Sequence, residues 1–393
     1  MWRRCDNNLI PIDKRLRWCI NAAHDETAQM FFKYLLGRFV GTWILLVSMW
    51  SFNWTTPEAP SEQPETWPLR ELPLKVAAAR AGIDIGVAAR ASEFVNDATY
   101  ATFITSQFSM VVAENAMKFQ ALHPHPVTYR FDRADAFVDR ARAAGLKVRG
   151  HTLIWYGGAK WVREGEWDDQ PGALEQAMLD HVTTVVGHFR GRVCCWDVVN
   201  EAISGYWGLR RNVWTKHIGQ DFIAKAFRAA HEADPDAKLF YNDFRVEGLR
   251  PKADRLVNLI STLQAEGVPI HGVGLQAHMH FSLPSRDELI AQLDRLAALG
   301  VEIHLTEVDL GIPKPVTNGK RIKQAIRYRR LVDACLAVPA CTAIVFWGTD
   351  DSRSWIPYFY KNFAEPLPFD ADLRPKLPYY AILDGLLAGR RLP

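Results

Sequence analysis

Bias of almost every kind is scarce in this chain of 393 residues. Forty-seven Lys and Arg stand against 44 Asp and Glu, a net charge of +3. That balance gives no reason to expect nucleic acid or an anionic lipid surface as the partner. Six cysteines are too few for disulfides to replace a core. No segment repeats along the chain, which excludes a solenoid. No apolar run reaches the ~20 residues of a spanning helix, which excludes a polytopic membrane protein. What remains is 48% hydrophobic and 23% charged, the composition of a folded globular protein and not of a disordered or collagenous one. At roughly 100–200 residues per domain, the length allows two or three small domains, or one large domain with an extension.

Two features break the uniformity: 14 tryptophans, and a first stretch unlike the rest. Residues 1–66 carry seven basic and seven acidic residues and are neutral. Inside them, Phe39 to Trp54 is uncharged and strongly apolar, with Lys33 and Arg38 just before it. It is short for a spanning helix and close to a secretory hydrophobic region. The acidic, Pro-rich stretch Thr56–Pro68 reads as a linker that isolates this run from any core. Either Met30 is the physiological start, making Met30–Arg38 a short basic leader, or the run is an uncleaved anchor, since no small-x-small cleavage site follows. A buried amphipathic helix is the third reading. The expectation is an exported protein, secreted or periplasmic, with a membrane tether through 39–54 as the alternative to cleavage. Residues 67–393 are expected to form one further domain.

Past the linker, short β-branched or apolar runs alternate with helical segments, the pattern of a parallel sheet. The predicted strands are Ile83–Ala88, Met110–Ala113, Lys147–His151, Arg192–Val199, Lys238–Asn242, Gly272–Gln276, Glu302–Glu307 and Thr342–Trp347. Leu289, Ile290, Leu293, Leu296 and Ala297 form a helical stripe that Ser285 and Glu288 cap. Gly145, Gly267 and Gly300 each stand between a helical segment and a strand, where a left-handed residue ends the helix. Eight such units in ~310 residues fit a single (β/α)₈ TIM barrel better than an open sheet.

In such a barrel, chemistry gathers where strands end. Those positions hold Glu114, Asn115 and Lys118; His151 and Trp155; Asn200 and Glu201; Tyr241 and Asn242; Gln276 and His278; Glu307 and Asp309; and Trp347, with Trp355 in the next loop. Glu201 and Glu307 each close a mostly apolar strand, three units apart. A pair of carboxyls is what glycoside hydrolysis requires, one protonated to donate to the leaving oxygen and one ionised to attack. His278 would hold Glu307 as the anion, with Asp309 fixing the imidazole. Indoles such as Trp155, Trp347 and Trp355 suit the C–H faces of a sugar ring, whereas Trp196, within a strand, reads as core. His278-x-His280 with His151 and Asp309 raises a zinc site. The Met and Phe neighbours of His280 argue that only His278 reaches the mouth, so neither metal nor cofactor is expected. Cys194 and Cys195, adjacent in an apolar run, are expected on opposite faces of a strand. Cys335 and Cys341 could form a loop disulfide or remain two thiols.

The segments Glu114–Lys118, GHTLIW (Gly150–Trp155), WDVVNEA (Trp196–Ala202), GVGLQAH (Gly272–His278), LTEVD (Leu305–Asp309) and Trp347…Ser354-Trp355 resemble glycoside hydrolase family 10, the endo-β-1,4-xylanases. The likeness spans residues 69–390 in the family's order, ending in Lys376-x-Pro378-x-Tyr380. It implies a retaining double displacement on xylan and xylo-oligosaccharides, with Glu201 as acid/base and Glu307 as nucleophile. Asn200 would bond the sugar 2-hydroxyl and His278 the nucleophile. Glu114, Asn115, Lys118, His151, Trp155 and Gln276 would line the glycone side, under Trp347 and Trp355. The family's disulfide before the eighth strand matches Cys335 and Cys341. Departures stand at Phe119, Tyr156, Gly158 and Thr349-Asp350-Asp351. A monomer is expected. A related cellulase or mannanase, and a non-catalytic glycan-binding barrel, are the competing readings.

Overall fold

A computed structural model describes residues 72–389, apart from 206, 207, 249, 281 and 282. The expected signal or anchor at 39–54, its linker and the domain boundary after residue 66 lie outside the described residues. Among those described, no helix is long and apolar enough to cross a membrane.

The predicted strands all form. They are β1 (Asp84–Ala89), β2 (Met110–Ala113), β3 (Lys147–Trp155), β4 (Cys195–Asn200), β5 (Lys238–Asp243), β6 (Gly272–Leu275), β7 (Glu302–Val308) and β8 (Cys341–Phe346). Each pairs in parallel with the next, and β8 returns to β1, closing the barrel. Helices follow the strands: α1 (Ala98–Gln107), α2 (Asp132–Ala143), α3 (Ala173–His188), α4 (Phe222–Ala233), α5 (Pro251–Ala265), α6 (Arg286–Ala297), α7 (Asn318–Ala337) and α8 (Leu377–Ala388). The capping box at Ser285 and Glu288 opens α6 as expected. The predicted helix-ending glycines have φ of 73°, 66° and 73°.

Strand ends depart from the sequence reading in one consequential place. β3 runs on to Trp155, past an irregularity between His151 and Ile154, and pairs Trp155 with Asn200. This extension carries Trp155 level with the end of β4. At its start, β4 is shorter than predicted, because Cys194 precedes the regular strand. The two sulfurs are therefore not on opposite faces but 3.3 Å apart. At the α7–β8 turn, Cys335 and Cys341 stand with Cα atoms 5.2 Å apart and sulfurs at bonding distance.

The barrel interior is filled by side chains and includes charge. Arg149 of β3 is 1% exposed and bonds both oxygens of Asp197 on β4. Its guanidinium also meets His304 Nδ1 at 2.8 Å and lies 4.5 Å over the Phe240 ring. Trp196 is fully buried, as its place in a strand required. It fits because Gly150 stands opposite, where an added Cβ would fall 2.2 Å from the indole.

Candidate active site

Two carboxyls meet at the mouth of the barrel, in different surroundings. Glu307 lies in β7 and is 5% exposed. Its Oε1 accepts from Asn242 Nδ2 at 2.8 Å, and its Oε2 is 3.2 Å from His278 Nε2. Asn242 cannot turn away, because its Nδ2 also donates to Asn200 Oδ1 (2.9 Å) and its Oδ1 accepts from the Thr306 hydroxyl (2.6 Å). Gly274 makes the space, since a Cβ there would lie 2.2 Å from Asn242 Oδ1. Glu201 follows β4 and is half-buried. Its Oε1 accepts from Gln276 Nε2 at 3.0 Å and Asn200 Nδ2 at 3.3 Å. The amides of Asn200 and Asn242 thus join the two carboxyls into one hydrogen-bonded unit.

The electrostatics separate them. Burial pushes Glu201 above its usual value, the charges of Asp243 and Glu307 push further, and the Gln276 bond only partly opposes. Burial acts the same way on Glu307, but the His278 bond and the fields of His151 and His278 outweigh it and hold this carboxyl below its usual value. His278 Nδ1 is 2.8 Å from Asp309 Oδ1, so the ring stands between two carboxylates. Burial disfavours the imidazolium, yet Asp309 and Glu307 prevail and raise His278 well above an ordinary histidine. Asp309 is steadied in turn by Trp355 Nε1 at 2.8 Å.

Around this centre lie the other predicted residues. Trp347 is nearly buried, with its ring 5.1 Å from His151 and 6.5 Å from His278. The Trp355 ring is 5.1 Å from His278. The Lys118 ammonium sits 5.8 Å from the Trp155 ring and 5.9 Å from that of Trp347, donating to Asn115 Oδ1 at 3.0 Å. Glu114 is 3.8 Å from Arg90, and burial raises it. His151 bonds Asp197 through Nδ1 at 2.9 Å.

Two predicted substrate contacts are corrected. Adjacent strand residues point to opposite faces, so Tyr241 and Asn242 cannot both face the mouth. Asn242 faces Glu307 but is fully buried, and its amide is occupied as described, so it positions the carboxyls from beneath. Tyr241 turns the other way and is also fully buried. Its hydroxyl donates to Asp243 Oδ2 at 2.6 Å and accepts from Ile203 N at 3.0 Å. Of the departures, Phe119 lies in the core and stacks on His181 at 3.7 Å. Asp350 pairs with Arg353 and Asp351 with Lys376, so these acids serve the loop's own structure.

His278, His280 and Asp309 do gather, their ligand-type atoms within 4.8 Å of one another. The donor set does not suit a cation. Both nitrogens of His278 already face carboxylate oxygens, and the pull of Asp309 and Glu307 favours the protonated ring, which has no lone pair to offer a metal. Burial lowers His280 to about 4, so it is neutral, and its Nδ1 accepts from Gly311 N.

Three supporting residues escaped the sequence reading. Asp197 anchors His151 and Arg149, and an acid within an apolar strand was the available signal. Glu247 Oε1 accepts from Ala277 N at 2.7 Å and holds the left-handed turn (φ 58°) before His278. Arg210 donates from Nε to the main-chain oxygen of Glu201 at 3.1 Å, which no local pattern announced.

A (β/α)₈ barrel whose mouth sets a carboxyl biased toward the anion beside one biased toward the acid, between indole walls, defines a glycoside hydrolase. The sequence model of glycosyl hydrolase family 10 matches residues 73–385, and the chain belongs to that family. Endo-1,4-beta-xylanase B of Thermotoga neapolitana is 39% identical over 317 residues, covering 80% of this chain and 91% of that protein. The endo-1,4-beta-xylanase of Agaricus bisporus is 36% identical over 316 residues, covering 79% and 94%. The structure of xylanase 10B from Thermotoga petrophila, in complex with xylobiose, gives a TM-score of 0.78 at 38% identity, covering 81% and 98%.

The internal use of the Tyr241 hydroxyl sets a first prediction. Tyr241→Phe should lower stability by about 0.5–2 kcal/mol, the range for a lost buried hydrogen bond, while KM stays unchanged. Urea unfolding and steady-state kinetics check it, and a raised KM would return Tyr241 to the cleft.

Proposed function

We propose that this chain is a retaining endo-β-1,4-xylanase acting on xylan and xylo-oligosaccharides, with Glu307 as nucleophile and Glu201 as acid/base. The observation that carries this reading is the unequal treatment of two linked carboxyls, one stabilised as the anion by His278 and Asn242, the other pushed toward the protonated form. Family membership and the xylanases among its relatives supply the substrate class. In the first step a Glu307 oxygen attacks the anomeric carbon, the bond to the leaving oxygen breaks, and the Glu201 proton passes to that oxygen. In the second, Glu201 takes a proton from water, whose oxygen attacks the same carbon and releases Glu307. Asn200 has both lone-pair directions of its carbonyl taken by Asn242 and Gln276. One amide N–H stays available for the sugar 2-hydroxyl.

The same reading extends to the rest of the chain. Residues 1–66 act as an export signal or anchor with a linker, ahead of a monomeric catalytic domain at 67–393, and Cys335 and Cys341 form a disulfide. What supports export is the apolar run at 39–54 behind Lys33 and Arg38, and the close approach of two cysteines that an oxidising compartment would join.

A panel of polysaccharides tests the substrate. Xylan should be cleaved, and glucan and mannan left nearly intact; turnover of glucan with xylan inert would replace the reading by a cellulase. The nucleophile has its own test. Glu307→Ala should lose hydrolysis, while azide restores turnover of an activated aryl glycoside by forming a glycosyl azide. Undiminished hydrolysis by that variant removes the assignment. The pH profile follows from the two environments. Activity falls as pH drops through the lowered Glu307 value, because the nucleophile gains a proton, and as pH rises through the raised Glu201 value, because the acid loses one. His278→Phe removes the cation beside Glu307 and should move the acidic limb of kcat/KM upward by roughly one to two pH units. An unmoved limb would mean that His278 does not hold the anion.

A further inference from the structure

Glu201 has a φ of 57°, in the left-handed region that side-chain-bearing residues seldom adopt. Both of its main-chain polar groups are held from outside. Its N–H donates to Asn242 O at 2.8 Å, and its carbonyl accepts from Arg210 Nε at 3.1 Å. Arg210 is itself fixed at three places. Its N–H donates to Ala202 O at 2.7 Å. Its carbonyl accepts from the Thr215 hydroxyl at 3.0 Å, within the capping box that Asn212 and Thr215 form for the short helix Val213–His217. Its guanidinium lies 4.4 Å from the Tyr156 ring and 6.0 Å from that of Phe244.

These neighbours belong to three strand ends. Tyr156 follows β3, Glu201 follows β4 and Phe244 follows β5. A second tie joins the same segments, since Trp214 Nε1 donates to Trp155 O at 3.1 Å. A planar guanidinium can stack on an aromatic face while donating edgewise, which an ammonium cannot do. Tyr156, which interrupts the family pattern, thus acquires a place as the face on which Arg210 rests.

We infer that Arg210, seated on Tyr156, is a positioning residue that fixes the main chain of Glu201 and so aims its carboxyl at the leaving oxygen. The inference rests on Glu201 being the acid/base. Its effect is confined to proton donation and leaves the attack by Glu307 untouched.

Leaving-group dependence isolates that effect. A dinitrophenolate departs without a proton, whereas a phenolate needs one, and kcat/KM reports the step in which either leaves. On aryl β-xylobiosides, Arg210→Ala should lose about 10- to 100-fold with the phenyl substrate, within the range of general acid catalysis. With the dinitrophenyl substrate it should lose less than about threefold. Tyr156→Ala, at a ring 37% exposed, should show the same split more weakly, and Tyr156→Phe should restore wild-type values. Equal losses on both substrates, or none, overturn the inference. If Arg210→Ala does not fold, Tyr156→Ala decides, and the absence of a split there overturns it. Glu201→Ala run in parallel separates the two claims. A split in Glu201→Ala but in neither clamp variant removes the clamp alone, whereas no split in Glu201→Ala removes the acid/base reading and the clamp with it.

Discussion

A carboxylate kept ionised inside a protein barrel is the constraint on which the rest of this site depends. Burial alone would drive Glu307 toward the neutral acid, which cannot attack a carbon. The anion persists because each oxygen has a donor, Asn242 on one side and His278 on the other. Each donor needs its own support, or it would be another unsatisfied polar group in a low dielectric. Asn242 finds it in Asn200 and Thr306, and His278 in Asp309. Asp309 passes the requirement on to the Trp355 indole. Trp355, proposed to face the sugar, is therefore also part of the electrostatic support of Glu307.

The same demand reaches down the barrel axis. His151 acts on Glu307 from β3 and is oriented by Asp197, whose charge Arg149 balances. Burial lifts Asp197, but Arg149 and His151 overcome it and hold the acid ionised. Arg149 meets His304, and His304 reaches Glu302 and the Thr342 hydroxyl through Nε2. Removing one member leaves another buried charge unpaired, which costs more than the pair itself contributes. Such a column stabilises little beyond an apolar core, but its side-chain bonds tie β3 to β4 and to β7 inside the barrel.

Much of this was legible in the sequence because parallel strands are buried on both faces and read as apolar runs. Glu201 and Glu307 were conspicuous as acids closing such runs. Alternation was legible too, and applied to β5 it separates Tyr241 from Asn242; position at a strand end alone was too coarse. The partners were not legible. Arg149 and His304 are 155 residues apart, and nothing local announces that they meet. Arg210 is harder still, since it acts on a main-chain oxygen, a group every residue carries. Sequence patterns report which face a side chain takes, while hydrogen bonds to the backbone of a distant loop depend on the closed fold.

The contrast between the two glutamates follows from where each sits relative to the strand. Glu307 is inside β7, where ladder bonds and neighbouring strands surround it with fixed donors. Glu201 comes one residue after β4, where its N–H makes the last ladder bond and the chain must turn. Acting first as acid and then as base, it must gain and lose a proton within one cycle, so a shell that strongly favoured either form would block half the reaction. The structure gives its carboxyl neutral amide donors, Gln276 and Asn200, in place of an imidazole, and secures its backbone as well, through Asn242 O and Arg210 Nε. Geometry is then held without fixing charge. A nucleophile can be immobilised through its carboxylate, because it needs only one charge state before attack, whereas an acid/base is better immobilised through groups that do not titrate.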